Sequence, residues 1–135
     1  MNKAKELVSH HSTGNKKTSV ASVILSKSEK HSFTINGRDG YEYLGSHSVM
    51  TALFAFTASN TSFDGFSINV KAHGGGISSQ SYAIRHAIAK ILAGFSEELK
   101  STIKSLGLLT RDSRIVERKK PGLRKARRKE QFSKR

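Results

Sequence analysis

The residues best suited to ligand chemistry in this sequence are cationic, and they are concentrated in residues 118–135. This segment holds ten Lys and Arg side chains and one acid, Glu130, so 10 − 1 = +9 of the formal charge of +14 lies there. Lys and Arg pair with phosphates. When a protein neutralises about 6–10 phosphates on binding, its affinity falls by about 10³–10⁵ as the salt concentration rises from about 50 to 200 mM. The pattern indicates an arm that binds a polyanion. The alternative is a solvated basic end that aids solubility or nuclear import.

The same segment cannot fold by itself. Its larger apolar side chains are Leu123 and Phe132, and their burial cannot offset about 1–2 kcal/mol of backbone entropy per residue. Fully extended, such a segment reaches about 60 Å, far beyond the surface of a small domain. Phe132 has no core to join, so we expect it to pack on a sugar or a base of the bound polyanion.

A second candidate phosphate-binding feature is the loop Gly74-Gly75-Gly76, between a predicted strand and a predicted helix. Glycines allow close approach of the backbone, and the first N–H groups of a helix attract anions. Two interpretations stay open: an anion-binding loop, or glycines required by a tight turn. The loop lacks both the Walker A and the G-x-G-x-x-G pattern, which argues against nucleotide hydrolysis.

The remaining reactive side chains do not assemble into a catalytic or metal site. The chain has no cysteine, which excludes disulfides, thiolate metal sites and cysteine nucleophiles. No G-x-S-x-G motif is present. Asp112 and Glu117 lie among arginines and are expected to form ion pairs. The histidines are scattered at positions 10, 11, 31, 47, 73 and 86 and do not have the spacing of metal ligands. From all these observations we expect no catalysis, no metal, no cofactor and no small-molecule substrate.

The elements that position these residues include three strands with alternating or β-branched patterns. Residues 20–25 and 31–36 are predicted to pair antiparallel across a polar turn at residues 26–30. Asn36-Gly37 predicts a turn after the second of these strands, and residues 66–72 form a third strand. Residues 1–15 are polar without periodicity and predict a mobile leader.

Three helices are also predicted. Residues 46–58 carry apolar side chains at helical spacing, with Ser46 or Ser48 as the N-cap. A short helix begins after the N-cap Ser96 and ends at Gly107. The third and central helix has its apolar stripe at Ile84, Ile88, Ile91, Leu92 and Phe95.

Five phenylalanines are expected in the core: Phe33, Phe54, Phe63, Phe66 and Phe95.

Length and composition bound the architecture. A chain of 135 residues with 36% hydrophobic residues predicts one core, and it has no apolar run of about 18 residues that could cross a membrane. The polar amino terminus lacks the apolar segment of a secretory signal. We predict a flexible polar leader (1–15), a globular α/β domain (16–109) and an extended basic tail (110–135). The fold class is α/β, an α+β two-layer sandwich.

The carboxyl end resembles that of the bacterial-type small-subunit ribosomal protein nine family. Its motifs here are GLLTRD at residues 107–112, ERKK at 117–120, KAR at 125–127 and QFSKR at 131–135. GGGIS at residues 74–78 is similar to a second signature of the family. Asn15 stands where the family usually has an arginine, and Leu44, Ser79 and Ser113 also depart from its pattern.

This resemblance implies a ribosomal-protein-S5-domain-2-like fold with a basic tail, in a protein of the cytoplasmic ribosome. Because the sequence shows no clear transit segment, a bacterial ribosome is expected rather than an organellar one. The implied partners are the 3′ major domain of the small-subunit rRNA, the P-site tRNA and neighbouring ribosomal proteins of the subunit head. Carried onto this chain, the tRNA contacts are Ser133, Lys134 and Arg135. The implied rRNA contacts are Lys16, Lys17, Arg85, Arg111, Arg114, Arg118, Lys119, Lys120, Arg124, Lys125, Arg127, Arg128 and Lys129.

Two other classes of function are compatible with the residues alone. A nucleoid protein or RNA chaperone would bind duplex DNA and rRNA with comparable affinity. An enzyme on the same type of fold would use the Gly74-Gly75-Gly76 loop to bind ATP. Co-sedimentation with small ribosomal subunits at moderate salt distinguishes the ribosomal protein from both.

Overall fold

The computed structural model describes residues 9–133, in which a five-stranded mixed sheet is covered by five helices. The strands are β1 (Ser9–Lys16), β2 (Ser19–Lys27), β3 (Ser32–Ile35), β4 (Arg38–Asp39) and β5 (Phe66–His73). The helices are α1 (Gly40–Leu44), α2 (Ser46–Ala52), α3 (Phe54–Ala58), α4 (Ile77–Ala93) and α5 (Glu97–Ser105).

The strands lie in the order β1-β2-β5-β3-β4. Strand β2 pairs antiparallel with β1 and with β5, whereas β3 pairs parallel with β5. The predicted antiparallel pairing of residues 20–25 with 31–36 is therefore wrong, because β5 lies between these two strands. A short turn favours pairing of sequence neighbours only when no later strand offers a better partner. Here β5 pairs with β2 over eight residue pairs.

One face of the sheet and one face of the helices form a single core. Val23 of β2, Ile35 of β3 and Val70 of β5 are fully buried, and Ile84 and Ile88 of α4 pack against the same cluster. The opposite face of the sheet is open, since alternate residues point away from the core. These layers confirm the predicted two-layer α+β sandwich. None of the helices in the described part of the chain is both long and apolar enough to span a membrane.

Strand β1 corrects the predicted leader. It begins at Ser9 and pairs with β2 along its whole length, so the prediction of a mobile segment is wrong for residues 9–15. Residues 1–8 of that predicted leader lie outside the described residues. The error has a physical cause: β1 is an edge strand of mostly polar residues, and its position depends on backbone pairing and on contact with α4 rather than on an apolar pattern of its own.

The helical region after β3 also differs from the prediction. Helix α1 was not predicted, and the segment 46–58 is two short helices separated at Leu53, with Gly45 rather than a serine as the N-cap of α2. Phe54 is 42% exposed, so its predicted place in the core is wrong. Phe33 is buried, and three other phenylalanines are partly buried against the core: Phe63, Phe66 and Phe95.

The two carboxyl-terminal helices confirm their predicted signals. Helix α4 buries four residues of the predicted apolar stripe, Ile84, Ile88, Ile91 and Leu92, but it ends at Ala93, so the fifth, Phe95, lies beyond the helix and is only partly buried. The Ser96 hydroxyl caps α5 by accepting a hydrogen bond from the Leu99 backbone N–H at 3.2 Å. Gly107 follows this helix with φ +72°, the left-handed conformation that favours glycine at a helix end. The tail then leaves the body without forming a helix.

Candidate nucleic-acid interface

The tail (residues 110–135) is attached to the body at a defined point between β1 and α4. Leu108 is buried in the core, and the Leu109 carbonyl accepts a hydrogen bond from His86 Nε2 at 3.3 Å. Lys16 Nζ, at the end of β1, donates to Asp112 Oδ2 at 3.2 Å, across 96 residues of sequence. These contacts set where the tail begins and hold its first residues beside the body.

Asp112 organises the cations at this point. Its Oδ2 accepts hydrogen bonds from Arg114 Nε at 3.0 Å and from Arg114 Nη2 at 2.7 Å. These bonds and the Lys16 ammonium hold the pKa of Asp112 well below its usual range. The predicted pairing of Asp112 with arginines is thus confirmed, and Lys16 is an additional partner that the sequence did not indicate.

Tyr82 connects Lys16 to helix α4. The Arg85 guanidinium carbon lies 4.6 Å from the centre of the Tyr82 ring, and Lys16 Nζ lies 5.7 Å from it. Both distances are within the range of cation–π attraction. We call Lys16, Arg85 and Arg111 the cationic cluster, because Lys16 and Arg85 share the Tyr82 ring and Arg111 precedes Asp112, the partner of Lys16, in the tail. Lys17 is exposed in the adjacent turn between β1 and β2.

Asn15, where the resemblance leads one to expect an arginine, contributes no cation to this cluster. Its side chain is half-buried on β1, and its Oδ1 is buried without a hydrogen-bond partner among residues 9–133. The positive charge at this edge therefore comes from Lys16 and from residues of α4 and the tail.

His86 is a buried, neutral support for the start of the tail. Burial lowers the pKa of this imidazole most, Lys90, Arg111 and Arg85 lower it further, and the bond to the Leu109 carbonyl opposes them. A neutral ring that donates from Nε2 carries no proton on Nδ1, and Nδ1 is buried with no partner in the described residues. Protonation would place a second N–H in this unpartnered position.

This lowered pKa predicts a loss of stability in mild acid. The unfolded chain binds a proton on this histidine near the ordinary pKa of 6.5, and the folded chain binds it only at lower pH, so stability falls as the pH drops below about 6.5. We expect the thermal midpoint to decrease from pH 7.5 to 5.5. His86→Gln, which keeps a donor for Leu109 and does not titrate, should reduce that decrease. An equally steep decrease in the variant would contradict the assignment.

The glycine loop is accounted for by packing. Gly74 and Gly75 have φ values of +76° and +58°. A Cβ on Gly74 would overlap the Thr18 carbonyl oxygen, and one on Gly75 would overlap the Ser19 hydroxyl. The Ser19 hydroxyl also donates to the Gly74 carbonyl at 2.9 Å. The geometry favours the tight-turn interpretation, and anion binding by Gly74, Gly75 and Gly76 stays a prediction.

The rest of the described tail is exposed and strongly basic. Each of its three acids faces an arginine: Asp112 faces Arg114, Glu117 faces Arg127, and Glu130 lies 4.0 Å from Arg124. The predicted pairing of Glu117 is thereby confirmed. Seven other tail cations have no acidic partner within residues 9–133: Arg111, Arg118, Lys119, Lys120, Lys125, Arg128 and Lys129.

The far end of the described tail carries no core contact. Phe132 is fully exposed, as expected for an aromatic residue in a cationic arm. The Ser133 carbonyl accepts a hydrogen bond from Gln131 Nε2 at 2.8 Å. Lys134 and Arg135, the predicted tRNA contacts, lie outside the described residues.

Two further features were missed by sequence reasoning. Tyr82 joins the cationic cluster through its ring, and its signal was a tyrosine three positions before Arg85 on one helix face. An open apolar groove of about 560 Å³ lies beside Tyr82, with Met50 and Phe54 on its walls.

Among the described residues, no group of three or more His, Asp or Glu side chains is arranged to hold a metal ion.

A comparison with known protein families finds a match over most of the chain. The sequence profile of the family described as ribosomal protein S9/S16 matches residues 14–135. The match covers β1 from Gly14 onward, the rest of the body and the whole tail. It includes every cation of the cluster described above.

Proposed function

Since the chain belongs to the ribosomal protein S9/S16 family, and is thus a structural, RNA-binding protein of the small ribosomal subunit, we propose that it binds the 3′ major domain of the small-subunit rRNA. The cationic cluster and the tail form the binding surface. Family membership also implies association with other ribosomal proteins. We propose that these are its neighbours in the head of the subunit, in a bacterial cytoplasm.

The observation that carries this proposal is the continuity of positive charge from the body into the tail. Lys16 and Arg85 lie beside the point where the tail begins, and seven cations that have no acidic partner among residues 9–133 follow along it. Release of the ions condensed on RNA favours binding by each cation that replaces them. The body then positions the tail, and the tail supplies most of the contacts with phosphates.

We assign no catalytic role to the chain. The glycine loop is occupied by its own packing contacts with the turn between β1 and β2. The basic side chains are exposed rather than gathered around an enclosed pocket with an activated nucleophile. Binding, charge neutralisation and positioning are the functions that these residues support.

The end of the tail is proposed to contact the P-site tRNA through Ser133, Lys134 and Arg135. This proposal rests on the resemblance of QFSKR at residues 131–135 to the ending of the family, together with the exposure of Phe132 and Ser133. Two adjacent cations at the end of a tail that is held at its root can reach phosphates that the body does not approach.

Removal of residues 133–135 tests the tRNA contact. We expect the truncated protein to enter small subunits normally, and tRNA to dissociate from the P site about tenfold faster, because charge-assisted hydrogen bonds contribute about 1.5–3 kcal/mol each before solvent screening. The measurement is tRNA dissociation from purified ribosomes that carry the full or the truncated protein.

The same preparations provide the control for rRNA binding. Both proteins should co-sediment with small subunits at moderate salt, since the rRNA contacts are upstream of residue 133. Unchanged tRNA dissociation would overturn the tRNA assignment alone. Failure of the full-length protein to co-sediment, or equal affinity for duplex DNA, would overturn the rRNA assignment.

A further inference from the structure

Part of the tail closes on itself. Arg127 Nε and Nη2 donate to Glu117 Oε2 and Oε1 at 2.9 and 3.0 Å, a bidentate pair between residues ten positions apart. A fully extended segment of that length would span about 33 Å. The chain therefore reverses direction between these two residues, and we call residues 117–130 the closed tail loop.

Backbone contacts support this reversal. The Leu123 N–H donates to the Lys120 carbonyl at 3.2 Å, and Gly122 has φ +78°. Proline followed by glycine at positive φ is the pattern of a type II turn, here Pro121-Gly122. On the returning side, the Arg124 N–H donates to the Arg128 carbonyl at 2.8 Å, and Leu123 forms a β-bridge with Lys129.

The closed tail loop contains acidic residues, which a segment that served only to supply positive charge would not need. It contains eight cations and two acids, 8 − 2 = +6. Glu117 lowers this charge, yet it occupies the position that joins the two ends of the loop. Its contact also raises the pKa of Arg127. Six cations remain without an acidic partner in the described structure: Arg118, Lys119, Lys120, Lys125, Arg128 and Lys129.

We propose that the Glu117–Arg127 pair closes residues 117–130 into a preorganised cationic loop that binds folded RNA, in which phosphates from more than one strand are held at fixed positions. This inference rests on the proposed rRNA binding and deepens it. A ligand with fixed phosphate positions gains from cations that are already in place, because less conformational entropy is lost on binding. A flexible single strand adapts to an open tail as well as to a closed one.

The two mechanisms predict opposite signs for Glu117→Gln. This change breaks the pair and raises the net charge by one. If charge alone matters, affinity should rise for every RNA. If closure matters, affinity for the transcribed 3′ major domain should fall about 3- to 5-fold, the scale of an exposed but bidentate ion pair. Affinity for single-stranded poly(U) should rise or stay unchanged.

Matched variants separate closure from charge. Glu98→Gln removes an exposed acid of α5 and raises the charge equally, so it should not weaken binding to the 3′ major domain. The exchange E117R/R127E restores an ion pair at the wild-type net charge, and it should return the affinity to within about twofold of wild type. Tighter binding of Glu117→Gln to the 3′ major domain would overturn the loop proposal.

Closure can be measured without RNA. The chain has no cysteine, so spin labels at Val116→Cys and Arg128→Cys, next to the two paired residues, report on the loop alone. We expect one narrow, short distance distribution, which Glu117→Gln broadens. If the labelled protein gives the same distance distribution with and without Glu117→Gln, the proposal is overturned. If the wild-type protein fails to bind the 3′ major domain, the proposed function fails, while the label distances still decide whether Glu117 closes the loop.

Discussion

Deletion of residues 110–135 is expected to lower the affinity of the chain for the 3′ major domain by about 10³-fold or more at physiological salt. The deleted segment holds twelve cations and three acids, so 12 − 3 = +9 of the net charge of +14 is removed. Each phosphate neutralised contributes about −0.7 to −0.9 to the slope of log affinity against log salt concentration. We therefore expect the slope to become less steep by about 6–8.

The cut after residue 109 is chosen to leave the body intact. Leu108 stays in the core, and the Leu109 carbonyl remains available to His86. The deletion also removes Asp112, the partner of Lys16, and so gives the body one additional free cation. The RNA affinity measured for the truncated protein is therefore an upper estimate of what the body contributes in the full chain. The measurement is filter binding at salt concentrations from about 50 to 300 mM.

A full-length variant controls for chain length. Substituting Gln for the ten described cations of the tail keeps the chain length and should reproduce most of the loss of affinity. If this variant or the deletion binds the 3′ major domain as tightly as wild type, with the same salt slope, the body alone is the binding surface and the role of the tail is disproved.

Gly14→Ala is expected to destabilise the fold by about 3 kcal/mol, the upper part of the range for overpacking a core. Gly14 lies on β1 directly beneath α4. A Cβ there would overlap the Ala83 carbonyl oxygen and lie 2.6 Å from the Ala87 backbone nitrogen. Both atoms belong to the helix backbone, which cannot rotate away as a side chain could. For a domain of this size we expect the thermal midpoint to fall by about 10 °C.

Gly65→Ala is the matched control for this prediction. It adds the same methyl group, but a Cβ at Gly65 meets nothing within 4 Å, so a change within about 0.5 kcal/mol is expected. Chemical denaturation of both variants gives the comparison. Equal stability of the two would show that β1 and α4 separate easily, contrary to their packing.

Elements with a strong local pattern were predictable from the sequence. Helix α4 repeats its apolar residues at helical spacing, and α5 has a serine cap and a terminal glycine, so their own residues indicate them. Strands β2 and β5 follow from β-branched or alternating residues. The class of partner was equally accessible, because net charge and its location in the chain are properties of composition and order alone.

The features that were missed depend on contacts between distant residues. Strand β1 has no apolar alternation, and its strand conformation depends on pairing with β2 and on the absence of a side chain at Gly14. Phe54 sits at a helical position that suits a core, but the break at Leu53 leaves it exposed. The conformation of β1 and the exposure of Phe54 both depend on which elements pack together in the fold. A local sequence pattern contains no information on that packing.

The sequence by itself determined that this protein is a small body with a basic arm for a polyanion, and the order of residues at its end indicated the family. Only the tertiary structure decided where the arm begins, through the contact of Lys16 with Asp112 across 96 residues, and how it closes, through Glu117 and Arg127. The physical reason is that charge adds up along a chain regardless of conformation. An ion pair or a close helix–strand contact exists only once folding has brought its two partners together.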